Sequence, residues 1–363
     1  MSLVKNYNLI DKALHYLAFS IPGLQSLLAD LENDLYESKL SKIELSNEVF
    51  ITGLPRSGTT LLLDFLYKTD EFCTFSYRHM PFILTPLFWK KLTSPFSKES
   101  KDIERAHGDG MKVSFDSPEA FEEVIWLNYL KNTYVKSDRI IPLSTKTTSK
   151  RFAKQLQSTI KKLILEQQIQ VTDSKQSRYL SKNNLNCSRL SVISTLFPDA
   201  KVLVPFREPM SHVGSLMKQH KLFNNMHADD KFAKKYMQWL GHYDFGENFK
   251  PIDFDCWLDN YSGNIDYNDE SFWLSYWVAS YSNILQHISN NVHLIDYNKI
   301  LSEPEKSFQS IADILSIENK SRFIDFSKQI REPTSKPSKT TSVDTKILDT
   351  ANKLYSKLQR LSI

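Results

Sequence analysis

The sequence predicts an α/β fold in which helices flank a central parallel sheet. Three short apolar runs are typical of buried strands, at 48–52, 202–206 and 291–297. Helical patterns follow the first two runs, at 61–66 and from residue 211. Because alternating strands and helices build parallel sheets, this order indicates α/β architecture. The 363 residues are enough for one large α/β domain with insertions, or for two small domains.

A helical prefix precedes the first strand. Residues 7–40 carry leucines near a helical period, with a break at Pro22 and Gly23. We expect this prefix, residues 1–45, to pack on a core domain at 46–363 or to form a subunit contact. In the second case the protein would be a homo-oligomer. Helices are also predicted at 150–168, 190–196 and 346–360.

The joint between the first strand and its helix has the spacing of a phosphate-binding loop. Gly53, Gly58 and Thr60 occupy the positions of the G-x-x-x-x-G-K-[ST] pattern. The lysine position holds Thr59, and the positive charge lies three residues earlier, on Arg56. The loop therefore keeps the phosphate-binding frame without the lysine that a nucleotide hydrolase uses.

An anion is the natural ligand of such a joint. The backbone amides of residues 56–60 are expected to open a helix, where the unpaired N–H groups and the helix dipole favour negative charge. A kinase or NTPase would need the missing lysine at the β- and γ-phosphates, so only Mg-dependent ATP consumption would favour that reading. A glycine-containing joint that merely connects strand and helix is the remaining alternative.

A second anion site is predicted at the end of the next strand. Arg207 follows the run 202–206, where parallel sheets place their ligands. Ser215 lies eight residues further on, in the following helix. A guanidinium fork and a hydroxyl can bind one phosphate together. The alternative for Arg207 is a surface ion pair with Glu208.

These segments together resemble the sulfotransferases that use 3′-phosphoadenosine 5′-phosphosulfate (PAPS). The residues that resemble the 5′-phosphosulfate loop of that family are Pro55, Arg56, Ser57, Gly58, Thr59 and Thr60. Arg207 and Ser215 resemble its 3′-phosphate site. Lys182 resembles a lysine that precedes the 3′-phosphate strand in the family, although a solvated lysine is the alternative. Residues 291–305 resemble a segment of the late core, with Glu303 in place of the family's aspartate.

The resemblance implies a three-layer core like that of P-loop NTPases and an enzyme of bacterial type, close to carbohydrate and protein-tyrosine sulfotransferases. Such an enzyme moves the sulfuryl group from PAPS to an acceptor hydroxyl and leaves adenosine 3′,5′-bisphosphate, without a metal. Arg56 would neutralise the leaving oxygen. A glycan or other carbohydrate is the first expectation for the acceptor, and a small alcohol, a phenol or a lipid headgroup is the alternative. A degenerate nucleotide-binding scaffold is the non-enzymatic alternative.

The family also uses a general base, a His or a Glu, to take the proton of the acceptor. Three residues are candidates here, ranked His107, His79 and then Glu122. His107 lies between turn-forming residues near an aspartate, and His79 lies where related enzymes carry a glutamate. Glu122 is expected in the first turn of a helix capped by Ser117, where countering the helix dipole is the simpler role.

The segment 221–275 is rich in aromatic and acidic residues and shows little periodicity. Long irregular segments in compact domains are usually functional or disordered, and this aromatic content argues against disorder. Aromatic rings with interleaved carboxylates often line sugar sites. We therefore expect an insertion that acts as acceptor site or lid, with simple core packing as the alternative.

Composition restricts the partners. A net charge of +4 suits a polyanionic ligand and does not by itself indicate nucleic acid. The three cysteines are far apart and lack metal spacing, which is typical of reduced thiols in a reducing compartment. No apolar run approaches the length of a membrane span, and charged residues interrupt any secretion signal near the N-terminus. The expected location is the cytoplasm.

Overall fold

The computed structural model describes residues 7–93, 103–104, 112–113, 116–170, 177–261, 263, 265–330 and 343–363. The strands are β1 (Val49–Ile51), β2 (Phe72–Cys73), β3 (Ile103–Glu104), β4 (Lys112–Val113), β5 (Arg178–Lys182), β6 (Lys201–Phe206) and β7 (Val292–Asp296). The helices are α1 (Leu9–Ser20), α2 (Leu24–Leu40), α3 (Thr59–Tyr67), α4 (Pro86–Thr93), α5 (Glu123–Tyr134), α6 (Lys150–Gln170), α7 (Leu190–Leu196), α8 (Pro209–Asp229), α9 (Lys231–Trp239), α10 (Glu270–Gln286), α11 (Tyr297–Ser302), α12 (Pro304–Leu315), α13 (Lys320–Asp325) and α14 (Thr345–Leu361).

Five parallel strands form the central sheet, in the order β2-β5-β1-β6-β7. The strand β1 lies in the middle, with Ile51 opposite Lys182 of β5 and Leu203 of β6. The carboxyl ends of β5, β1 and β6 therefore meet at one edge of the sheet. The remaining two strands, β3 and β4, form a separate antiparallel pair.

Alternate residues of each strand enter two different hydrophobic cores, which makes the fold three-layered. Ile51 and Leu203 pack with α3, α11, α12 and α13 on one face. Phe50 and Val204 pack on the other face, in a larger core that includes parts of α5, α6, α8, α10 and α14. Parallel strands covered on both faces read as continuous apolar runs, which is the pattern from which the strands were predicted. The predicted α/β fold is confirmed.

The helical prefix consists of α1 and α2, divided at Pro22 and Gly23 as predicted. The residues Ala29, Tyr36 and Leu40 of α2 belong to the larger core of the sheet. The prefix thus packs on the core.

Two local predictions were wrong. The segment 221–275 is not irregular throughout, because α8 continues to Asp229 and α9 follows it. Only the stretch after α9 and before α10 lacks α-helix. The helix predicted to begin after Ser117 begins instead at Glu123, with Glu122 as its N-cap residue.

Candidate active site

The two loop glycines adopt backbone conformations that residues with a Cβ atom disfavour. Gly53 has φ 140° and Gly58 has φ 108°. A Cβ atom at Gly58 would lie 2.8 Å from the ring of Tyr297, and one at Gly53 would lie 3.1 Å from the Pro205 carbonyl oxygen. Conformation and space both require glycine at these positions. The two glycines of the predicted spacing therefore lie where the backbone of this loop requires glycine.

Two arginines converge beside this loop. The Arg56 Nε atom lies 3.5 Å from the Ser215 Oγ atom on α8. Arg207, just after β6, donates from Nη1 to the Arg56 carbonyl oxygen at 3.2 Å and from Nη2 to Ser211 Oγ at 3.2 Å. Arg56, Arg207 and Ser215, which are far apart in sequence, thus occupy one cleft at the carboxyl end of the sheet.

The cleft is strongly electropositive. Burial lowers the pKa of Arg207, and the positive charge of Arg56 adds to this effect. Within the described part of the chain, the Arg207 Nε atom is buried and has no hydrogen-bond partner. The neighbouring Glu208 instead accepts hydrogen bonds from the Met210 and Ser211 amides as the N-cap of α8. A site of this kind is suited to an anion.

A polar chain leads from the loop to the segment after α9. Thr59 donates from Oγ1 to Asn184 Oδ1 at 3.3 Å, and Asn184 donates from Nδ2 to Asp244 Oδ2 at 2.8 Å. The Nε2 atom of His242 lies 3.8 Å from the same carboxylate oxygen. Burial lowers the pKa of His242, although Asp244 opposes this shift. These polar contacts therefore lead from the loop to the neutral His242 imidazole beside the Asp244 carboxylate.

Lys182 lies close to this polar chain. It is the last residue of β5, opposite Ile51 of β1, and its Nζ atom is 3.9 Å from the Glu119 Oε1 atom. The Tyr77 hydroxyl donates to the other Glu119 oxygen at 3.5 Å. The charges of Lys182 and Glu119 both act on the pKa of His242, in opposite directions. The predicted lysine therefore lies near the His242 imidazole and the Asp244 carboxylate.

The other predicted bases are placed differently. His79 accepts a hydrogen bond at Nδ1 from the Ser76 amide and lies 3.0 Å from Glu166 through Nε2. Glu122 is 2 % exposed and accepts hydrogen bonds from three side chains. Its donors are Trp126, Tyr179 and Asn186. His107 lies outside the described residues.

Sequence reasoning missed several residues of this site: Glu119, Asn184 and His212 are not among the predicted site residues, and His242 and Asp244 enter only as part of the segment 221–275. Asn184 could have been suspected from its place just after a strand that pairs with β1. His242 and Asp244 lie in the aromatic and acidic segment that was predicted to form the acceptor site. No linear motif marks any of them.

The fold is α/β, and two arginines and a serine lie together beside the glycine-containing loop at the carboxyl end of its parallel sheet. A sequence model described as the sulfotransferase family matches residues 48–254, which include β1, the loop, Arg207 and His242. This match spans more than half of the chain. The chain therefore belongs to the sulfotransferase family.

Solved structures of bacterial sulfotransferases are similar to the chain at low identity. Sulfotransferase STF1 from Mycobacterium tuberculosis is 12% identical, with 82% of this chain and 76% of that chain covered and a TM-score of 0.45. Sulfotransferase STF9 from Mycobacterium avium is 10% identical, with 91% and 80% covered and a TM-score of 0.46. A sulfotransferase from Alicyclobacillus acidocaldarius is 11% identical, with 88% and 95% covered and a TM-score of 0.35. No curated protein gave a significant match.

Two further features of the described residues concern membranes and metal ions. None of the helices in this part of the chain combines the length and the apolar character that a membrane crossing requires. The same residues contain no group of three or more His, Cys, Asp or Glu side chains arranged to hold a metal ion.

Proposed function

We propose that the protein transfers the sulfuryl group of PAPS to an acceptor hydroxyl. The observation that carries this proposal is the convergence of Arg56, Arg207 and Ser215 beside a phosphate-binding loop without its lysine. Membership in the sulfotransferase family supports the reaction class. A Mg-nucleotide kinase is disfavoured because Thr59 donates its hydroxyl to Asn184 and carries no charge for the β- and γ-phosphates.

The residues of the cleft divide into two binding roles. The loop amides, including that of Thr59, and the hydroxyl of Thr60 would bind the 5′-phosphosulfate, with Arg56 stabilising the charge that develops on the leaving oxygen. Arg207 and Ser215 would bind the 3′-phosphate, with the charge-assisted hydrogen bonds that a guanidinium forms. This arrangement would select PAPS over nucleotides that lack a 3′-phosphate.

We further propose that His242 takes the proton of the acceptor hydroxyl. Its neutral imidazole is connected to the loop through Asp244 and Asn184, and Lys182 lies close to it. As the acceptor oxygen forms its bond to sulfur, the bond from sulfur to the 5′-phosphate oxygen would break and the acceptor proton would pass to His242 Nε2. Asp244, 3.8 Å from that nitrogen, would stabilise the imidazolium that forms. The hydrogen bonds of His79 and the burial of Glu122 make these two residues weaker candidates. His107 stays a candidate.

The acceptor is proposed to be a carbohydrate hydroxyl. His242 and Asp244 are partly exposed, and they lie in the aromatic and acidic segment 221–275. Their polar side chains can hydrogen-bond a polyhydroxylated ligand, whereas the Phe223 ring that stacks on His242 is fully buried in the core. A small alcohol, a phenol or a lipid headgroup is the alternative.

The test is transfer of labelled sulfate from PAPS into extracted glycans and metabolites, followed by identification of the product by mass. We expect label in a glycan fraction together with stoichiometric adenosine 3′,5′-bisphosphate. Label in a small alcohol, phenol or lipid would retain the reaction and change the acceptor class. Tight binding of adenosine 3′,5′-bisphosphate without transfer to any acceptor would instead indicate a nucleotide-binding scaffold.

A further inference from the structure

Three consecutive carbonyl groups of the phosphate-binding loop are each held by a side chain. The pairs are Ser57 Oγ with the Leu54 oxygen at 2.7 Å, His212 Nε2 with the Pro55 oxygen at 2.8 Å and Arg207 Nη1 with the Arg56 oxygen at 3.2 Å. Ser57 belongs to the loop and Arg207 to the proposed 3′-phosphate site. His212, on the first turn of α8, has no role in the proposed function so far.

The contact defines the state of the His212 ring. His212 is fully buried, and a carbonyl oxygen can only accept, so Nε2 carries the proton and donates to Pro55. The other ring nitrogen is buried and has no partner among the described residues. A second proton there would leave a buried charge beside two arginines. Burial and these positive charges lower the pKa of His212 to about 3, so the ring is neutral at pH 7.

The hydrogen bond determines the direction in which a loop amide points. In a trans peptide the carbonyl and the following N–H point in opposite directions. Because the Pro55 oxygen is held toward α8, the Arg56 N–H points away from α8. The Arg207 contact fixes the Ser57 N–H in the same way. Arg56 itself has φ 71°, a left-handed conformation that a residue with a Cβ atom disfavours, so the loop needs support from outside.

We propose that His212 is a positioning residue that holds the loop amides in the orientation that binds the 5′-phosphosulfate. The inference rests on the proposed function only for the identity of the ligand. The effect of His212 on the orientation of the loop amides does not depend on that function. Simple core packing of an aromatic ring is the competing role. Packing needs only the shape of the ring, whereas positioning needs its N–H donor.

The test compares His212→Phe, which keeps a ring and removes the donor, with His212→Gln, which places an N–H near the position of Nε2. The first measurement is amide hydrogen exchange of the segment 53–60 in the ligand-free protein. The second is the Kd of adenosine 3′,5′-bisphosphate by titration calorimetry. We expect faster exchange and roughly tenfold weaker binding in His212→Phe, and values within about twofold of wild type in His212→Gln.

A matched control is His220→Phe, which alters another buried histidine two turns further along α8. His220 accepts its hydrogen bond from the Gly246 amide, in the segment after α9, rather than donating to a carbonyl of the loop. This variant controls for loss of stability, and it should leave loop exchange and nucleotide affinity unchanged. If His212→Phe does not fold, the soluble fraction of His212→Leu takes its place as the variant without a donor. It is then compared with His212→Gln by amide hydrogen exchange of the loop alone.

The outcomes separate the two proposals. Wild-type affinity and exchange in His212→Phe would overturn the positioning role, as would equal losses in the Phe and Gln variants. If the wild-type protein binds no adenosine 3′,5′-bisphosphate, the proposed function fails. The positioning role would still be supported in that case if loop exchange rises in His212→Phe but not in His212→Gln.

Discussion

At the scale of single residues, the site is defined by where its positive charge lies. Thr59 replaces the lysine of nucleotide-hydrolysing loops, and Arg56 and Arg207 supply the charge instead. The two guanidinium groups share one cleft, and the charge of Arg56 contributes to the lowered pKa of Arg207. A polyanion relieves this repulsion when it binds, because opposite charge favours the charged form of both groups.

Arg207→Ala is expected to weaken binding of adenosine 3′,5′-bisphosphate by roughly tenfold to a hundredfold. A hydrogen bond to a charged group contributes about 1.5–3 kcal/mol, and the substitution removes a partly desolvated cation. Titration calorimetry at fixed ionic strength measures the change in Kd. Arg322→Ala, an exposed arginine paired with Asp70, is the control and should leave Kd unaltered. Equal affinity in both variants would disprove the assignment of the 3′-phosphate site.

His242→Gln is expected to lower kcat by roughly 10²–10⁴-fold, the usual contribution of a general base, with little change in the Kd of adenosine 3′,5′-bisphosphate. The amide keeps the approximate size of the side chain but cannot take a proton. Steady-state kinetics with PAPS and the identified acceptor provide the measurement. His107→Gln, examined in parallel, decides between the two candidates. Wild-type turnover in His242→Gln would remove this residue from the mechanism.

At the scale of helices and strands, the prefix is held to the core by an ion pair that is fully buried. Lys162 on α6 lies 3.1 Å from Glu32 on α2, and neither side chain is exposed. Lys162 also donates to the Ala29 and Leu84 carbonyl oxygens, and Glu32 accepts from the Phe88 amide. Periodicity predicted the helix but not that one of its acidic residues faces inward. The pair fixes how α2 lies on α6.

Lys162→Met is expected to reduce the free energy of unfolding by about 3–5 kcal/mol, because it leaves Glu32 buried without its partner. The double variant Lys162→Met with Glu32→Leu should regain much of this loss. Urea unfolding monitored by circular dichroism provides both values. The exposed pair Arg151 and Asp30 joins the same two helices, so Arg151→Met should cost under about 1 kcal/mol. Similar losses from the two single variants would contradict the buried-pair argument.

At the scale of the whole molecule, the order of strands creates the site. Because β1 lies between β5 and β6, the loop after β1 meets Lys182, Asn184 and Arg207 at one edge of the sheet. Ligands of open parallel sheets bind at this edge. The helix α8 carries Ser215, which contacts Arg56 of the loop. Asp244, in the segment after α9, accepts a hydrogen bond from Asn184.

Stability of the whole fold is expected to fall as the pH is lowered from about 6.5. Burial lowers the pKa of His212 to about 3 and the pKa values of His220 and His227 to about 4. Between these values and the ordinary pKa of histidine, the unfolded chain binds protons that the folded protein does not. Each such histidine therefore reduces the free energy of unfolding by up to about 1.4 kcal/mol per pH unit in this window.

Urea unfolding at pH 7, 5.5 and 4.5 measures this dependence. His220→Gln should make the slope shallower, because it removes one of the titrating groups. His287→Gln, at an exposed histidine, is the control and should leave the slope as in wild type. A free energy of unfolding that is constant from pH 7 to pH 4.5 would contradict the prediction.

The sequence by itself determined the α/β fold, the glycine-containing loop after β1 and the arginine at the end of β6. These features depend on local patterns, namely apolar runs, helical periodicity and the glycines that a left-handed turn requires. Strands β1, β6 and β7 and helix α7 accordingly lie within a residue or two of their predicted positions. The start of α5 and the helical residues within 221–239 were mispredicted, because weak local signals there are decided by packing.

Only the tertiary structure decided which side chains meet. His212 and Pro55 are 157 positions apart, and Thr59 and Asn184 are 125 positions apart, so no local pattern relates them. Burial also distinguishes the candidate bases. Glu122 is enclosed among three hydrogen-bond donors, whereas His242 lies beside Asp244. Backbone conformation is largely encoded by neighbours in the chain, whereas hydrogen-bond partners and charge states depend on which distant segments the sheet brings together.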